Sequence, residues 1–123
     1  MQWLMLQQET PKDYVIATGR QESIREFIEL TAKKLGWTNN DKKSIIWSGS
    51  GVNEIGRRAD NNEIVVRVDH RYFRPNEVDS LLGDSTNAKD SLGWEPKITL
   101  EELIDEMISN DINEGKKEIA SSI

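Results

Sequence analysis

Two side chains of the 123-residue sequence, Arg74 and Glu77, have types and a spacing suited to holding an anion beside a pair of hydroxyl groups. Residues three positions apart in a helical turn lie on neighbouring parts of one surface. A guanidinium binds a phosphate through two parallel hydrogen bonds, and a carboxylate can accept hydrogen bonds from two vicinal hydroxyls. The same spacing also suits an ion pair between the two residues, so both interpretations stay open on the residues alone.

The arginines are concentrated in one stretch of the chain. Five of the seven arginines lie within residues 57–74, where there are three acidic residues. This local positive charge favours an anionic ligand, and a solvated loop and strand edge is the alternative. The formal net charge of the whole chain is -6, which argues against a general nucleic-acid binder and predicts no nucleic-acid partner.

Other chemistries find little support in the sequence. His70 is the only histidine and there is no cysteine, so we predict neither a Ser-His-Asp arrangement nor a metal site. The acidic run of Glu101, Glu102, Asp105 and Glu106 is interpreted as the solvated face of a helix rather than a metal cluster. Thr18 and Gly19 lack the longer glycine-rich pattern that cradles a phosphate. We therefore predict no catalytic, cofactor-binding or metal-binding residue in this chain.

The composition indicates the cellular compartment of the protein. The absence of cysteine favours a reducing cytoplasm. No apolar run approaches the roughly 20 residues of a membrane helix, so we expect no membrane partner. Residues 1–9 are expected to be the tail of a helix cut off at its beginning, which suggests truncation.

The first half of the chain predicts four elements, three strands and one helix. Residues 13–18 are β-branched and aromatic, which predicts a short buried strand. Ser23 and Glu26 form a capping box that opens a helix, and Gly36 ends it. Residues 37–63 are expected to be mostly loop with a short strand at 44–47. Residues 63–70 alternate as a half-buried strand does.

The second half predicts three helices. Pro75 suits the first position of a short helix ended by Gly83. Asp84 can cap a second short helix, which Gly93 ends. A capping box of Thr99 and Glu102 then opens a long helix, with fraying expected at residues 118–123. The predicted fold class is α/β, a mixed α+β domain over residues 1–123 with several helices and a few short strands.

Four ordered blocks of the sequence resemble GDP-mannose 4,6-dehydratases, which belong to the extended short-chain dehydrogenase/reductase family. They are residues 3–9 (WLMLQQE), 13–19 (DYVIATG), 71–78 (RYFRPNEV) and 82–84 (LGD). The closing residues Ala88, 92–94, Pro96 and 99–100 are similar to the extended family more broadly. Residues 37–62 are the least similar, and Ser85 and Asn87 depart from the family's usual proline and lysine.

The resemblance implies a two-domain enzyme of nucleotide-sugar metabolism on the route to GDP-fucose. Its amino-terminal Rossmann domain binds NADP and carries the catalytic residues, and its smaller carboxyl-terminal part helps to bind GDP-mannose. This chain is similar to the second part, so the Rossmann domain is an implied partner and is absent here. The chain alone is expected to be inactive, because neither Tyr14 nor Tyr72 is followed by a lysine four residues later. A homo-oligomer is implied for the full enzyme.

By the resemblance, Arg74 binds the diphosphate and Glu77 the ribose hydroxyls, with Arg71 and Tyr72 as neighbours of the ligand. The implied reaction converts GDP-mannose to GDP-4-keto-6-deoxymannose. Two other functions stay open from the sequence. One is a stand-alone module that binds a nucleotide sugar, and the other is part of a related NAD(P)-dependent epimerase or reductase.

Overall fold

The computed structural model describes residues 1–74 and 80–121. The chain divides into two compact units, one from Met1–Glu22 and Val78–Thr99 and the other from Ser23–Glu77 and Leu100–Ile123, less the residues that are not described. The described residues contain four α-helices and one three-stranded antiparallel sheet. This confirms the predicted mixed α/β class.

The sheet belongs to the second unit and follows chain order. Its strands are β1 (Ile45–Ser48), β2 (Ile55–Arg58) and β3 (Ile64–Arg67), with β2 in the centre. The strands predicted at 44–47 and 63–70 are confirmed, the second over a shorter range.

The central strand β2 was missed, because three nearby glycines favoured loop. Two of them, Gly49 and Gly51, do lie in the connection between β1 and β2, with positive φ. Gly56 lies instead inside the sheet, opposite Trp47 on β1 and Val66 on β3. A Cβ at Gly56 would come within 2.9 Å of the Trp47 ring. A glycine is therefore required here by close packing and not by a turn.

The capping box predicted for the first long helix is confirmed. Helix α2 runs over Ile24–Lys34, and the Ser23 hydroxyl accepts a hydrogen bond from the Glu26 backbone N–H at 3.2 Å. The Glu26 carboxylate accepts the Ser23 backbone N–H at 2.7 Å in return. Gly36, two residues past the helix, has φ +78°, as expected of the residue that ends it.

The core of the second unit lies between α2, the sheet and the last helix. Ala32, Ile45 and Ile104 are its buried apolar residues. Side chains of β1 and the residue before it bond to α2, since the Ser44 hydroxyl donates to the Glu29 carbonyl at 2.8 Å. The Trp47 indole N–H donates to the Glu29 carboxylate at 2.7 Å. These bonds fix the sheet against one side of α2.

The last helix, α4, runs over Leu100–Ser121 and begins directly after Thr99. The capping bonds expected between Thr99 and Glu102 stay a prediction. The helix continues past Lys117, after which we expected fraying, and residues 122–123 lie outside the described part of the chain. Asp105 of α4 forms an ion pair with Lys34 of α2 at 2.7 Å. None of the helices among the described residues is long and apolar enough to span a membrane.

Two short helices lie in the described part of the first unit. α1 (Gln2–Leu6) lies within residues 1–9, where a helix was expected. α3 (Thr86–Leu92) ends at Gly93 with φ +64°, as predicted. Its N-cap position is Ser85, and the predicted cap Asp84 still contributes by accepting the Thr86 backbone N–H at 2.9 Å.

The strand predicted at residues 13–18 is wrong. The segment has no regular secondary structure, and Val15 and Ile16 are half exposed rather than buried. A strand needs a neighbour to take its backbone hydrogen bonds, and the described residues provide none beside this segment.

The short helix predicted from Pro75 to Gly83 is contradicted where it can be observed. Residues 75–79 lie outside the described part of the chain, and residues 80–83 are not helical. Leu81 and Leu82 are 80% and 60% exposed, so no apolar burial supports a helical turn there.

Candidate functional site

A tight turn follows β3 and is built by one carboxylate. The Tyr72 backbone N–H donates to the Asp69 carbonyl at 3.1 Å, which closes a four-residue turn. The Asp69 carboxylate accepts the Arg71 backbone N–H at 2.9 Å. It also accepts the Arg71 guanidinium, at 2.6 Å from Nη2 and 3.1 Å from Nε. Asp69 therefore fixes both the turn and the direction of the Arg71 side chain.

The charges of this pair match each other. Hydrogen bonds from the Arg71 side chain, and then from its backbone N–H, hold the pKa of Asp69 below its usual value. The bond to Asp69 raises the pKa of Arg71. Both groups stay charged at neutral pH, so the positive charge of Arg71, predicted as a ligand neighbour, is already balanced by a carboxylate.

Tyr72 lies at the end of this turn with most of its surface in solvent. The residue is 76% exposed, and the Arg71 guanidinium lies 5.4 Å from the centre of its ring. The next residue, Phe73, is 44% exposed. The turn thus presents an aromatic ring backed on one side by a cation.

Arg74, the predicted phosphate ligand, is exposed two residues after Tyr72. Its predicted partner Glu77 lies outside the described residues. The structure therefore brings Arg71 and Tyr72 together in one turn, and the predicted pairing of Arg74 with Glu77 stays a prediction.

Two other arginines of the second unit have roles within its fold. Arg25 forms an ion pair with Glu54 and so ties α2 to the residue just before β2. Arg58 holds Asp60 at 2.7 Å and lies over the Trp37 ring at 4.3 Å. The positive charge of residues 57–74 is thus partly structural.

Asp69 is the residue of this site that the sequence reasoning missed. An aspartate two positions before another residue can accept that residue's backbone N–H and build a turn. Asp69 and Arg71, placed at the end of a predicted strand, carry this signal. The sequence pattern instead placed Asp69 within the strand predicted at residues 63–70.

The remaining candidates give no competing site. Among residues 1–74 and 80–121, no group of three or more histidine or acidic side chains could hold a metal ion. An open groove in the first unit is lined by Leu4 and residues 93–98. Its Glu95 is paired with Lys89, whose hydrogen bond lowers the pKa of that carboxyl. Lys97 is the one cation among the described lining residues and most of the others are apolar, so the groove offers a diphosphate a single positive charge.

Comparison with known proteins matches residues 1–107 to a family model described as GDP-mannose 4,6 dehydratase. The chain belongs to this family. It is 46% identical over 127 residues to the GDP-mannose 4,6-dehydratase of Yersinia enterocolitica. It is 45% identical over 123 residues to that of Vibrio cholerae and 44% identical over 110 residues to the GDP-mannose 4,6 dehydratase of Homo sapiens.

The three alignments cover most of this chain but only about a third of each relative. They include 95%, 95% and 89% of this chain, but 32%, 32% and 28% of the Yersinia, Vibrio and human proteins. The chain therefore spans about a third of the length of the curated relatives it matches.

Proposed function

We propose that this chain is the substrate-binding part of a GDP-mannose 4,6-dehydratase and binds GDP-mannose beside the turn that follows β3. The observation that carries the proposal is an exposed Arg74 two residues after a turn fixed by Asp69. This arginine lies within residues 71–78, one of the blocks that resemble the family, and within the range of the family match.

Within the proposed site, Arg74 binds the diphosphate and Glu77 accepts hydrogen bonds from the ribose hydroxyls. A charged fork suits a diphosphate, because it can donate two parallel bonds to non-bridging oxygens. A carboxylate suits vicinal hydroxyls, because it only accepts hydrogen bonds when ionised. Arg71 and Tyr72 line the same site from the preceding turn.

The residues of this chain do not fit NADP. The Thr18 hydroxyl accepts the Arg20 backbone N–H at 3.3 Å and so forms a local turn at Gly19, but no strand precedes it among the described residues. A dinucleotide turn follows a strand and opens a helix over several glycines. We therefore assign NADP to a partner Rossmann domain.

The complete enzyme that we propose converts GDP-mannose to GDP-4-keto-6-deoxymannose, and this chain contributes ligand binding to it. Assembly with the Rossmann domain, and of full enzymes into a homo-oligomer, belongs to the same proposal. So does a cytoplasmic location, which the absence of cysteine supports.

Titration calorimetry with nucleotide sugars tests this function. The 123-residue chain should bind GDP-mannose and GDP. It should bind UDP-glucose more weakly, because UDP-glucose has the same diphosphate as GDP-mannose but a different base and sugar. Equal affinity for both nucleotide sugars, or no heat with GDP-mannose at millimolar concentration, would contradict the proposal.

An activity assay tests the division of labour. The chain incubated alone with GDP-mannose and NADP should form no GDP-4-keto-6-deoxymannose. Product formed by the isolated chain would show that catalytic groups lie within it and would overturn the assignment.

A further inference from the structure

Among its described residues, the second unit contains one arrangement three times: a carboxylate holds an arginine, and the arginine lies over an aromatic ring. The distances from guanidinium carbon to ring centre are 5.4, 4.3 and 5.4 Å. The carboxylate, arginine and ring are Glu54, Arg25 and Trp47; Asp60, Arg58 and Trp37; Asp69, Arg71 and Tyr72. Such stacks are favourable because the ring face is negative and the guanidinium is planar.

Two of the three rings are used by the fold itself. Trp37 and Trp47 are half-buried. The Trp47 indole N–H is bonded to Glu29, and its ring lies where a Cβ on Gly56 would touch it. Their stacks connect α2, the sheet and the loop before it.

The third ring differs because the fold leaves it uncovered. Tyr72 is 76% exposed although Asp69 holds its neighbour Arg71 in place by accepting bonds from the Arg71 side chain and backbone. Ordering an arginine in this way costs side-chain entropy. An ordered stack that covers so little of its ring has a surface left for another planar group.

We propose that Tyr72 is the stacking platform for the purine base of a nucleoside diphosphate, and that Asp69 is a positioning residue that holds Arg71 against the ring. The proposal rests on the function proposed above and names the part of the ligand that this turn takes. The base stacks on the exposed surface of the Tyr72 ring and becomes the fourth group in a row after the Asp69 carboxylate, the Arg71 guanidinium and the ring. Stacking suits a base because every base has a π-face.

The position of Arg74 fits the rest of such a ligand. Arg74 is two positions after Tyr72, so their Cα atoms are at most about 7 Å apart. One nucleotide can then place its base on the ring and its phosphates at the guanidinium. Arg71 does not compete for the phosphates, because Asp69 already balances its charge.

Calorimetry with GDP and with inorganic pyrophosphate as separate probes tests the platform. Tyr72→Ala should weaken GDP binding roughly tenfold, the loss expected for one base-aromatic stack, and leave pyrophosphate binding unchanged. Tyr72→Phe should retain most of the GDP affinity, because the ring remains. On binding, the guanine H8 proton resonance should move upfield in the wild-type and Tyr72→Phe chains and stay in place in Tyr72→Ala.

A substitution at Asp69 tests the positioning role. Asp69→Asn keeps an oxygen for the Arg71 backbone N–H but removes the negative charge. It should weaken GDP binding and strengthen pyrophosphate binding, because the charge of Arg71 is no longer balanced. A residue that only stabilised the fold would not strengthen pyrophosphate binding, so a parallel loss for both probes overturns this role.

The outcomes separate this inference from the function on which it rests. If the wild-type chain binds GDP and Tyr72→Ala binds it equally well, the platform is refuted and the proposed function survives. If the wild-type chain binds no GDP, both are refuted. Equal losses of GDP and pyrophosphate affinity in Tyr72→Ala would also overturn the platform, since they would place the ring at the phosphates.

Discussion

At the scale of single residues, two glycines occupy opposite environments in the second unit. Gly56 lies inside the sheet, where a Cβ would come within 2.9 Å of the Trp47 ring and 3.1 Å of the Val66 Cβ. Gly115 lies in α4, where a Cβ would meet no atom within 4 Å. The same substitution should therefore act in opposite directions at the two positions.

Gly56→Ala should lower the free energy of unfolding by about 1 to 3 kcal/mol, because it overpacks the contact between β1 and β3. Gly115→Ala should raise it by about 0.5 to 1 kcal/mol, because alanine restricts the unfolded chain and favours helix. Urea titrations followed by circular dichroism measure both. A Gly56→Ala chain as stable as the wild type would contradict the close packing.

Residues that act on their sequence neighbours were the easier ones to predict. The Ser23 and Glu26 bonds span three positions, so their spacing alone predicted them correctly. The role of Gly56 depends on Trp47 and Val66, which lie on the neighbouring strands. No local sequence pattern predicts these contacts. Asp69 falls between the two, because its turn is local but was taken for part of a strand.

At the scale of elements, α2 organises the second unit. Its first turn is closed by the capping box. Arg25 of this helix pairs with Glu54, just before β2, and Glu29 accepts the Trp47 indole N–H of β1. Its buried Ala32 and the ion pair from Lys34 face the core and α4. Loss of the cap should therefore lower the stability of the whole unit.

Ser23→Ala should lower the free energy of unfolding by about 1 kcal/mol, because it removes the acceptor for the Glu26 backbone N–H. Ser50→Ala is the matched control, since Ser50 precedes the 3₁₀ turn at Gly51–Asn53 without a side-chain capping bond. Thermal unfolding of both variants measures the difference. Equal losses in the two variants would show that the Ser23 cap contributes nothing specific.

Elements with their own periodicity were predictable, and elements defined by partners were not. Helix α2 and strand β3 carry clear apolar patterns and were predicted correctly. The pattern of residues 13–18 is equally strand-like, but a strand forms only where another strand takes its hydrogen bonds. Strand β2 shows the converse, since its glycine and two arginines look like loop until β1 and β3 pair with it.

At the scale of the whole molecule, apolar side chains remain in solvent in the first unit. Trp3, Leu6 and Ile16 are 69%, 81% and 55% exposed. Exposed groups of this kind suit a surface that another domain covers. They agree with the partner Rossmann domain that we propose for a chain spanning about a third of its relatives' length.

Stability should decline in acid. The pKa values of Asp60, Asp69, Asp84 and Glu95 are lowered in the folded chain, chiefly by side-chain hydrogen bonds from Arg58, Arg71, Thr86 and Lys89. A carboxyl with a lowered folded pKa stabilises the fold above its unfolded pKa, and this is lost as pH falls through the folded value. The thermal midpoint should thus hold from neutral pH to about 5 and fall below about 4.

Circular dichroism melts between neutral and acidic pH measure this dependence. The double variant Asp60→Asn/Asp69→Asn should show a shallower decline, because two of the four carboxyls no longer titrate. A thermal midpoint that rose on acidification would contradict the assigned pKa directions.

The binding of GDP-mannose by Arg74 is tested most directly by calorimetry on two variants. Arg74→Ala should weaken binding by about 1.5 to 3 kcal/mol, the loss expected for a charged hydrogen-bonding partner. Lys116→Ala removes one positive charge, as Arg74→Ala does, but from α4, and it should bind as the wild type does. Unchanged affinity in a folded Arg74→Ala chain, or equal losses in both variants, would contradict the account.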